Sequence, residues 1–239
     1  MNAPFGRVAW LFVIVVMLVC TRSLYANSIY DIVTGFSGTS NPNGVWTYGY
    51  NGTAYGTSQA VTNFLGTGLP AWSTGEAIPN RIYVAQNITG STVSYSSAQV
   101  PTNTLWLDPE SGNVSVAFTA PSAGTYAIKG NFLGIDLNQN SHPVEIMDNG
   151  VVVWKGTISS YGAKDSFNFS ETLNAGATLT FYVGTGSTGC SYCSLSTGLS
   201  GTISEGSTST VPEPGTLILF GSGLLGLVPI LRRKRFARS

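Results

Sequence analysis

The segment that decides the fold lies at residues 144–154 and reads Val-Glu-Ile-Met-Asp-Asn-Gly-Val-Val-Val-Trp. Two apolar stretches flank the triplet Asp148-Asn149-Gly150. The Asn-Gly pair supplies the two residues with positive φ that a type I′ turn requires, and such turns join neighbouring antiparallel strands. The segment therefore predicts a β-hairpin within an antiparallel sheet.

Alternation of apolar and polar residues extends this prediction along the chain. Residues 114–118, 126–132 and 178–183 place their apolar side chains on one face of an extended strand. Further strand candidates are residues 28–36, 45–50, 81–86, 92–95, 104–107 and 199–204. Strands at intervals of about 8–12 residues with turn residues between them are typical of sandwiches and barrels. We therefore predict an all-β fold, an antiparallel β-sandwich, over residues 27–204.

The composition agrees with this prediction and excludes several classes of protein. Residues 27–210 contain 25 Ser, 24 Thr, 24 Gly and 15 Asn, which favour turns and short strands over helices. The whole chain of 239 residues is 43% hydrophobic and 9% charged with no net charge. These values exclude a charge-rich disordered chain and a coiled coil, and they argue against a nucleic-acid partner.

The zero net charge conceals three segments of different sign. Residues 27–210 hold four basic and ten acidic side chains, a formal charge of −6. The preceding residues carry +2, and residues 211–239 carry +4. The positive charge at both ends accompanies apolar runs, which indicates targeting segments around an acidic domain.

Residues 1–26 have the organisation of a secretory signal peptide. A basic start that contains Arg7 precedes thirteen apolar residues at positions 8–20. This run matches an apolar signal helix and is shorter than the roughly 20 residues that span a bilayer. Ala26 stands at the expected cleavage point, and an uncleaved signal anchor is the alternative. We expect export through a Sec-type machinery.

The C-terminal segment, residues 212–239, has three parts. The triplet Pro212-Glu213-Pro214 precedes sixteen mostly apolar residues at 216–231, a candidate for a single transmembrane helix. A basic stop follows, formed by Arg232, Arg233, Lys234 and Arg235 within the tail 232–238. Such a cluster holds its end of a helix on the cytoplasmic side. Residues 205–211 are predicted to form a flexible linker before this segment.

This segment resembles the PEP-CTERM sorting segment of exported bacterial proteins. The resemblance covers about the last 29 residues and implies processing by exosortase, a membrane protease-transpeptidase. It also implies a host that makes exopolysaccharide or biofilm, and a protein directed to the cell surface, anchored in the membrane or released. Some proteins labelled as ice-binding carry a similar tail, but the Thr residues here show no fixed repeat. A plain tail anchor is the alternative.

Two turns within the domain resemble those of jelly-roll domains of the carbohydrate-binding-module kind. They lie at residues 120–126 and 173–179, where Gly provides a tight corner before a strand. The resemblance implies a jelly-roll-like sandwich.

The most suggestive aromatic set is Trp46, Tyr48 and Tyr50, which share one face of a strand. Flat rings at a sheet surface stack on sugar rings, so these residues form a candidate ligand platform. The alternative is that they fill the sandwich core.

Cys190 and Cys193 are expected to form a small disulfide in an oxidising compartment, with free thiols or a redox or metal-binding role as the alternatives. His142, before Pro143, is expected at the surface.

Asp136, Asn138 and Asn140 offer oxygen ligands at alternate positions, a weak calcium candidate that lacks the Gly and Glu of an EF-hand loop.

A carboxylate pair for glycoside hydrolysis has candidates in Glu76, Asp108 and Glu110, but the sequence does not supply their separation. We expect no cofactor and no catalysis. The sequence therefore predicts an exported, surface-directed structural component of an extracellular polysaccharide or biofilm layer. The alternatives are a carbohydrate-binding protein and, less favoured, an ice-binding protein or a glycoside-acting enzyme.

Overall fold

The computed structural model describes residues 28–75, 81–110, 112–185 and 194–206. A single 3-10 turn is formed by Thr57–Gln59 within these ranges, and no helix in them is long and apolar enough to cross a membrane. The strands are β1 (Ile29–Asp31), β2 (Trp46–Tyr50), β3 (Thr53–Ala54), β4 (Ala60–Phe64), β5 (Leu69–Ser73), β6 (Tyr83–Asn87), β7 (Val93–Tyr95), β8 (Ala98–Val100), β9 (Thr104–Asp108), β10 (Val114–Thr119), β11 (Gly124–Gly134), β12 (His142–Asp148), β13 (Val151–Ile158), β14 (Lys164–Leu173), β15 (Thr178–Val183) and β16 (Thr197–Glu205).

The strands form two main sheets in which every pairing is antiparallel. The large sheet has the order β14-β11-β16-β9-β6-β5-β4, with β1 also paired to β16. The small sheet has the order β13-β12-β15-β10-β2-β3. From β10 onward the chain passes repeatedly from one sheet to the other, as in a jelly roll. The prediction of an all-β, jelly-roll-like sandwich is confirmed.

The hairpin predicted at residues 144–154 is present as β12 and β13. Asn149 and Gly150 have φ values of 46° and 83°, which are the positive values that a type I′ turn requires. A β-bulge between Ile146 and Met147 shifts the register along this pair.

The main core lies between the two sheets and is rich in aromatic rings. Phe118 of the small sheet packs against Tyr30 and Tyr126 of the large sheet, with ring centroids 5.0 and 5.6 Å apart. Trp46 lies 5.5 Å from the same ring. Tilted and edge-on contacts of this kind bring the two sheets together over a wide apolar area.

A second, smaller core lies on the opposite face of the large sheet. The hairpin of β7 and β8 covers this face and buries Tyr83, Ala85 and Trp106, while the alternate residues of β6 and β9 face the main core. All residues of β6 and β9 are buried as a result. These two strands therefore lie in the middle of three layers.

Gly130 in the large sheet lies too close to the Ser200 backbone and the Phe167 ring for any side chain to fit. A Cβ atom added at Gly130 would lie 2.5 Å from a ring carbon of Phe167 and closer still to the carbonyl oxygen of Ser200. Neither neighbour has room to withdraw, because Phe167 is 1% exposed and Ser200 belongs to the paired strand β16.

We expect Gly130→Ala to lower the free energy of unfolding by about 1–3 kcal/mol, as overpacking of a core does. Gly75→Ala is the matched control, because nothing lies within 4 Å of an added Cβ there. Chemical denaturation of the two variants measures the difference. Equal stability of both variants would contradict the close packing at Gly130.

Candidate functional site

The candidate site is a pocket on the face of the large sheet that carries the β7–β8 hairpin. Its volume is about 200 Å³. Among the described residues, the lining combines aromatic rings, serine hydroxyls, three carboxyl groups and one guanidinium. The residues are Arg81, Tyr83, Tyr95, Ser96, Ser97, Ala98, Trp106, Asp108, Glu110, Asp136, Ser194 and Ser196.

The floor of the pocket comes from the two central strands. Alternation along β9 places Trp106 and Asp108 on the same face, toward the hairpin. Tyr83 of β6 is the direct cross-strand partner of Asp108. The rings of Tyr83 and Trp106 meet edge to face with centroids 4.9 Å apart. Because β6 and β9 are buried on both sides, the floor is rigidly supported.

Asp108 is the centre of a buried hydrogen-bond network. Its Oδ2 atom accepts hydrogen bonds from the Ser196 hydroxyl at 2.5 Å and the Tyr83 hydroxyl at 3.1 Å. Its Oδ1 atom accepts from the backbone N–H of Glu110 at 3.2 Å. The Ser196 hydroxyl in turn accepts from the indole N–H of Trp106 at 3.0 Å. The network therefore holds the Tyr83 and Trp106 rings in place through the Tyr83 hydroxyl and the Trp106 indole N–H.

Burial raises the pKa of Asp108 from 3.8 to about 6, because desolvation disfavours the charged carboxylate. The hydrogen bonds from Ser196, Glu110 and Tyr83 and the positive charge of Arg81 act in the opposite direction. Burial also raises the pKa of Tyr83 well above 10, so its hydroxyl stays protonated and donates to Asp108. The carboxyl group is charged at neutral pH and protonates in mildly acidic solution.

One wall of the pocket is the turn between β7 and β8. The partly exposed ring of Tyr95 and the exposed Ser96, with φ of 51°, form its rim. The Ser97 hydroxyl donates to Asp136 Oδ2 at 2.9 Å, and the backbone N–H of Leu137 donates to the Ser97 carbonyl at 2.9 Å. These contacts tie the turn to the loop that follows β11.

The opposite wall is the segment that leads into β16. The carbonyl oxygen of Ser194 accepts hydrogen bonds from the backbone N–H of Asn140 at 2.9 Å and from Gln139 Nε2 at 3.0 Å. The backbone N–H of Ile135 donates to the Ser196 carbonyl at 3.2 Å. Both walls are therefore held by the same loop, residues 135–140.

Arg81 lines the pocket next to three aromatic rings. Its guanidinium carbon is 5.4 Å from the ring centroid of Tyr83 and 5.8 Å from those of Phe64 and Tyr95. A guanidinium at this distance from ring faces is stabilised by the ring quadrupoles. Three aromatic side chains therefore surround the Arg81 guanidinium.

The aromatic set Trp46, Tyr48 and Tyr50 lies elsewhere and does not form an exposed platform. Trp46 and Tyr48 are 3% and 0% exposed and belong to the core between the sheets. The hydroxyl of Tyr48 donates to the Gly35 carbonyl at 3.1 Å inside the protein. Only Tyr50 is partly exposed. The ligand-platform hypothesis is therefore wrong for the first two rings, and the core interpretation applies to them.

The calcium candidate forms a turn at the pocket rim. Asp136 Oδ1 accepts from the backbone N–H of Asn138 at 2.8 Å, and its Oδ2 accepts from Ser97. Asn138 and Asn140 are exposed. In the part of the chain that the structure describes, no three His, Cys, Asp or Glu side chains are grouped to hold a metal ion. Hydrogen bonds inside the chain account for this turn, and the calcium hypothesis stays a prediction.

The expectation that His142 lies at the surface is wrong. This side chain, at the first position of β12, is 2% exposed and contacts Thr197 at the start of β16. Nδ1 lies 2.9 Å from the carbonyl oxygen of Asn140, and Nε2 lies 2.7 Å from the Thr197 hydroxyl. Burial lowers the pKa of His142 below 6.5. The residue therefore contacts the end of the loop at residues 135–140, which holds the pocket walls.

Several predicted features fall outside the described residues. They are the signal segment 1–26, the pair Cys190 and Cys193, the triplet Pro212-Glu213-Pro214, the apolar segment 216–231, the basic stop Arg232–Arg235, and Glu76. Of the candidate carboxylate pair, Asp108 and Glu110 line the same pocket.

Comparison with known proteins identifies the C-terminal segment. The family description "PEP-CTERM protein-sorting motif" matches residues 210–235. This chain carries a PEP-CTERM sorting motif. The motif implies exosortase-dependent export and membrane anchoring through the C-terminal tail. No curated protein matches the sequence.

Solved structures with a similar arrangement include two carbohydrate-binding modules and an adhesin domain. The family 35 module from Paenibacillus barcinonensis is 14% identical, with 75% of this chain and 99% of that chain covered and a TM-score of 0.31. The family 35 module from Clostridium thermocellum is 17% identical, with coverage of 66% and 97% and a TM-score of 0.27. The K1 cleaved adhesin domain of Lys-gingipain from Porphyromonas gingivalis W83 is 10% identical, with coverage of 75% and 98% and a TM-score of 0.37. Similarity at these TM-scores does not indicate which ligand this chain binds.

Sequence reasoning missed most residues of the pocket. Tyr83, Tyr95, Trp106 and Ser196 stand far apart in the sequence and meet only through the order of strands in the large sheet. One signal was present: the interiors of these two segments are apolar, residues 82–85 and 105–107, and the polar side chains stand only at their ends, Arg81, Gln86 and Thr104. Such runs indicate strands buried on both faces, and hence a covering layer above the sheet.

We expect Asp108→Asn to remove a pH dependence of stability. A carboxyl group whose pKa is raised in the folded state stabilises the fold below its unfolded pKa of 3.8, and this contribution is lost as pH rises through about 6. The free energy of unfolding of the natural protein, relative to that of Asp108→Asn, should therefore fall by up to about 3 kcal/mol between about pH 4 and pH 7.

Urea denaturation of both proteins across this pH range measures the difference. Both proteins contain the other titrating groups, so the contributions of those groups to the pH dependence cancel in the comparison. One of them is His142, whose lowered pKa makes the free energy of unfolding rise with pH. Parallel pH profiles of the two proteins would contradict the raised pKa of Asp108.

Proposed function

We propose that this protein is a non-catalytic component of an extracellular polysaccharide layer that binds one sugar ring of that polysaccharide in the pocket. Export through a Sec-type machinery and processing by exosortase deliver the domain to the outer side of the membrane. The sorting motif at residues 210–235 supports the delivery. The convergence of Tyr83, Tyr95 and Trp106 with hydroxyl and carboxyl groups in one cavity supports the binding.

The chemistry of the lining fits a sugar. A pyranose ring presents apolar C–H faces and a rim of hydroxyl groups, which pair with aromatic rings and with hydrogen-bonding side chains. Ligand pockets commonly combine an apolar lining with a few oriented polar groups. Of the described rings in the lining, Tyr95 is the accessible one, since Tyr83 and Trp106 are each 1% exposed at the floor. Ser96 and Ser194 place hydroxyl groups beside it.

The size of the cavity limits the ligand to one ring. Its volume of about 200 Å³ lies below the roughly 300–1,000 Å³ of pockets for drug-sized ligands. We therefore infer that a terminal or projecting sugar enters the pocket while the remainder of the polysaccharide stays outside.

We expect Tyr95→Ala to weaken retention of the mature protein in gels that contain the host's extracellular polysaccharide, with a loss of affinity of roughly tenfold or more, about 1.4 kcal/mol. The loss follows from removal of the accessible ring. Tyr161→Ala is the matched control, because Tyr161 is 50% exposed and lies outside the pocket. Equal retention of both variants, or no retention of the natural protein, would contradict the proposal and favour a purely structural role.

We expect the mature protein isolated from its host to lack Arg232–Ser239, because exosortase processes its substrates near the triplet at 212–214. Mass spectrometry of the protein's ends measures this directly. Replacement of Pro212, Glu213 and Pro214 by Ala should leave the tail in place. A natural protein that retains Arg232–Ser239 would contradict processing.

A further inference from the structure

One carboxyl group, that of Asp108, connects the floor of the pocket to one of its walls. Asp108 is the last residue of β9, and its Oδ2 atom accepts a hydrogen bond from the hydroxyl of Ser196 at 2.5 Å. Ser196 belongs to residues 194–196 before β16, called the wall segment, and also accepts from the indole N–H of Trp106. The same Oδ2 atom accepts from the hydroxyl of Tyr83 on β6. Three separate parts of the chain therefore meet at this carboxyl group.

The geometry of these bonds fits an ionised carboxylate. Each described hydrogen-bond partner of Asp108 donates to it, namely two hydroxyls and the backbone N–H of Glu110. An ionised carboxylate only accepts, whereas a protonated carboxyl group also donates. The distance of 2.5 Å to Ser196 lies in the range of a charge-assisted O–H···O⁻ bond, which is roughly twice as strong as a neutral one. The charge of Asp108 therefore strengthens the contact between β9 and the wall segment.

A proton on Asp108 weakens this contact in two ways. The bonds from Ser196 and Tyr83 lose their charge assistance and become hydrogen bonds between neutral groups. The added proton also needs an acceptor, and the oxygen atoms bonded to Oδ2 in the described residues are those of the same two hydroxyls. The hydroxyl that receives this proton has to turn its own proton away from Asp108. Protonation therefore rearranges the hydrogen bonds at the floor.

Burial brings this protonation into the range of mildly acidic solution. Asp108 is 5% exposed, and desolvation raises its pKa to about 6. The cost of the buried charge thus exceeds what its hydrogen bonds return. The fold as a whole gains stability from the proton, while the contact between floor and wall weakens. Ionisable groups whose pKa is shifted by burial in a cleft are typical of functional sites.

The other ionisable groups around Asp108 come from each element that borders the pocket. They are Arg81 before β6, Tyr83 on β6, Tyr95 on β7, Glu110 after β9, Asp136 in the loop after β11, and His142, which contacts Thr197 at the start of β16. The positive charge of Arg81 favours the ionised form of Asp108 and lowers its pKa. All of these groups remain in the Asp108→Asn variant, so comparison with that variant separates their titration from that of Asp108.

We propose that Asp108 is a pH-dependent switch in the pocket: the ionised carboxylate fixes the wall segment to the floor in neutral solution, and its protonation in mildly acidic solution loosens the wall and weakens the binding of a ligand. A preorganised pocket binds more tightly than a loose one, because less ordering is required on binding. The effect on a ligand rests on the proposed binding of a sugar, whereas the rearrangement at Asp108 takes place in the free protein.

The indole N–H of Trp106 reports on the switch without any ligand, because it donates to Ser196. In NMR spectra of the mature protein between about pH 7.5 and about pH 4.5, we expect the Trp106 indole resonance to shift with a midpoint near pH 6. The indole resonance of Trp72, which donates to the Ser37 carbonyl, should stay in place. In Asp108→Asn the shift at Trp106 should be absent, because the amide does not titrate.

The carboxyl carbon of Asp108 provides a second measurement that needs no variant. Its ¹³C resonance in the natural protein should titrate with the same midpoint as the Trp106 indole. The switch would be overturned by a Trp106 resonance that does not move, by one that moves equally in Asp108→Asn, or by different midpoints for the two groups.

Retention by gels of the host polysaccharide at about pH 7.5 and about pH 5 tests the effect on the ligand. We expect the natural protein to bind roughly threefold or more weakly at the lower pH, and Asp108→Asn to bind equally at both. Asp148→Asn is the matched control, since it removes a carboxyl group outside the pocket and should keep the pH dependence. Retention that depends on Tyr95 but is the same at both pH values would overturn the switch and leave the proposed function standing.

Discussion

Burial of the large sheet on both of its faces is the constraint on which the rest of the structure depends. Strands β6 and β9 have the main core on one side and the β7–β8 hairpin on the other. Polar groups on these strands have little access to bulk water, so most of their hydrogen bonds must be made inside the protein. Asp108 meets this requirement through Tyr83, Ser196 and the backbone of Glu110.

The same requirement shapes the pocket. Ser196 reaches Asp108 only because the segment before β16 is tied to the loop at residues 135–140, and Asp136 of that loop holds the hairpin turn through Ser97. Buried hydrogen bonds that connect several segments in this way rigidify their surroundings. The floor and both walls therefore share one set of hydrogen bonds, and the rings are presented to a ligand in fixed orientations.

The sequence predicted those parts of the fold that depend on local patterns. The Asn149-Gly150 turn and the alternation in β10, β11 and β15 need no knowledge of distant residues, and the structure confirms them. Strand β14 was missed. Asp165 and Glu171 occupy inward positions near its two ends, on the same face as Phe167, and this hides the alternation.

The site could not be predicted in the same way, because strand order, and not sequence spacing, brings its residues together. The spacing of Trp46, Tyr48 and Tyr50 correctly places them on one face of a strand but does not say which face is exposed. In β2 that face is the core, since Trp46 packs on Phe118 and Tyr48 packs on Phe36 with a centroid distance of 4.8 Å. An aromatic triplet in a two-layer fold has two faces available, and the register with β10 decides between them.

The central claim is that a sugar binds in the pocket, and the indole N–H of Trp106 reports on it most directly. This group donates to Ser196 at the floor, whereas the indole N–H of Trp72 donates to the Ser37 carbonyl at 2.7 Å and its ring packs in the main core. In an NMR titration of the mature protein with fragments of the host polysaccharide, we predict that the Trp106 indole resonance shifts to saturation while that of Trp72 stays in place. An unchanged Trp106 resonance, at fragment concentrations where the protein is bound, would contradict binding in the pocket.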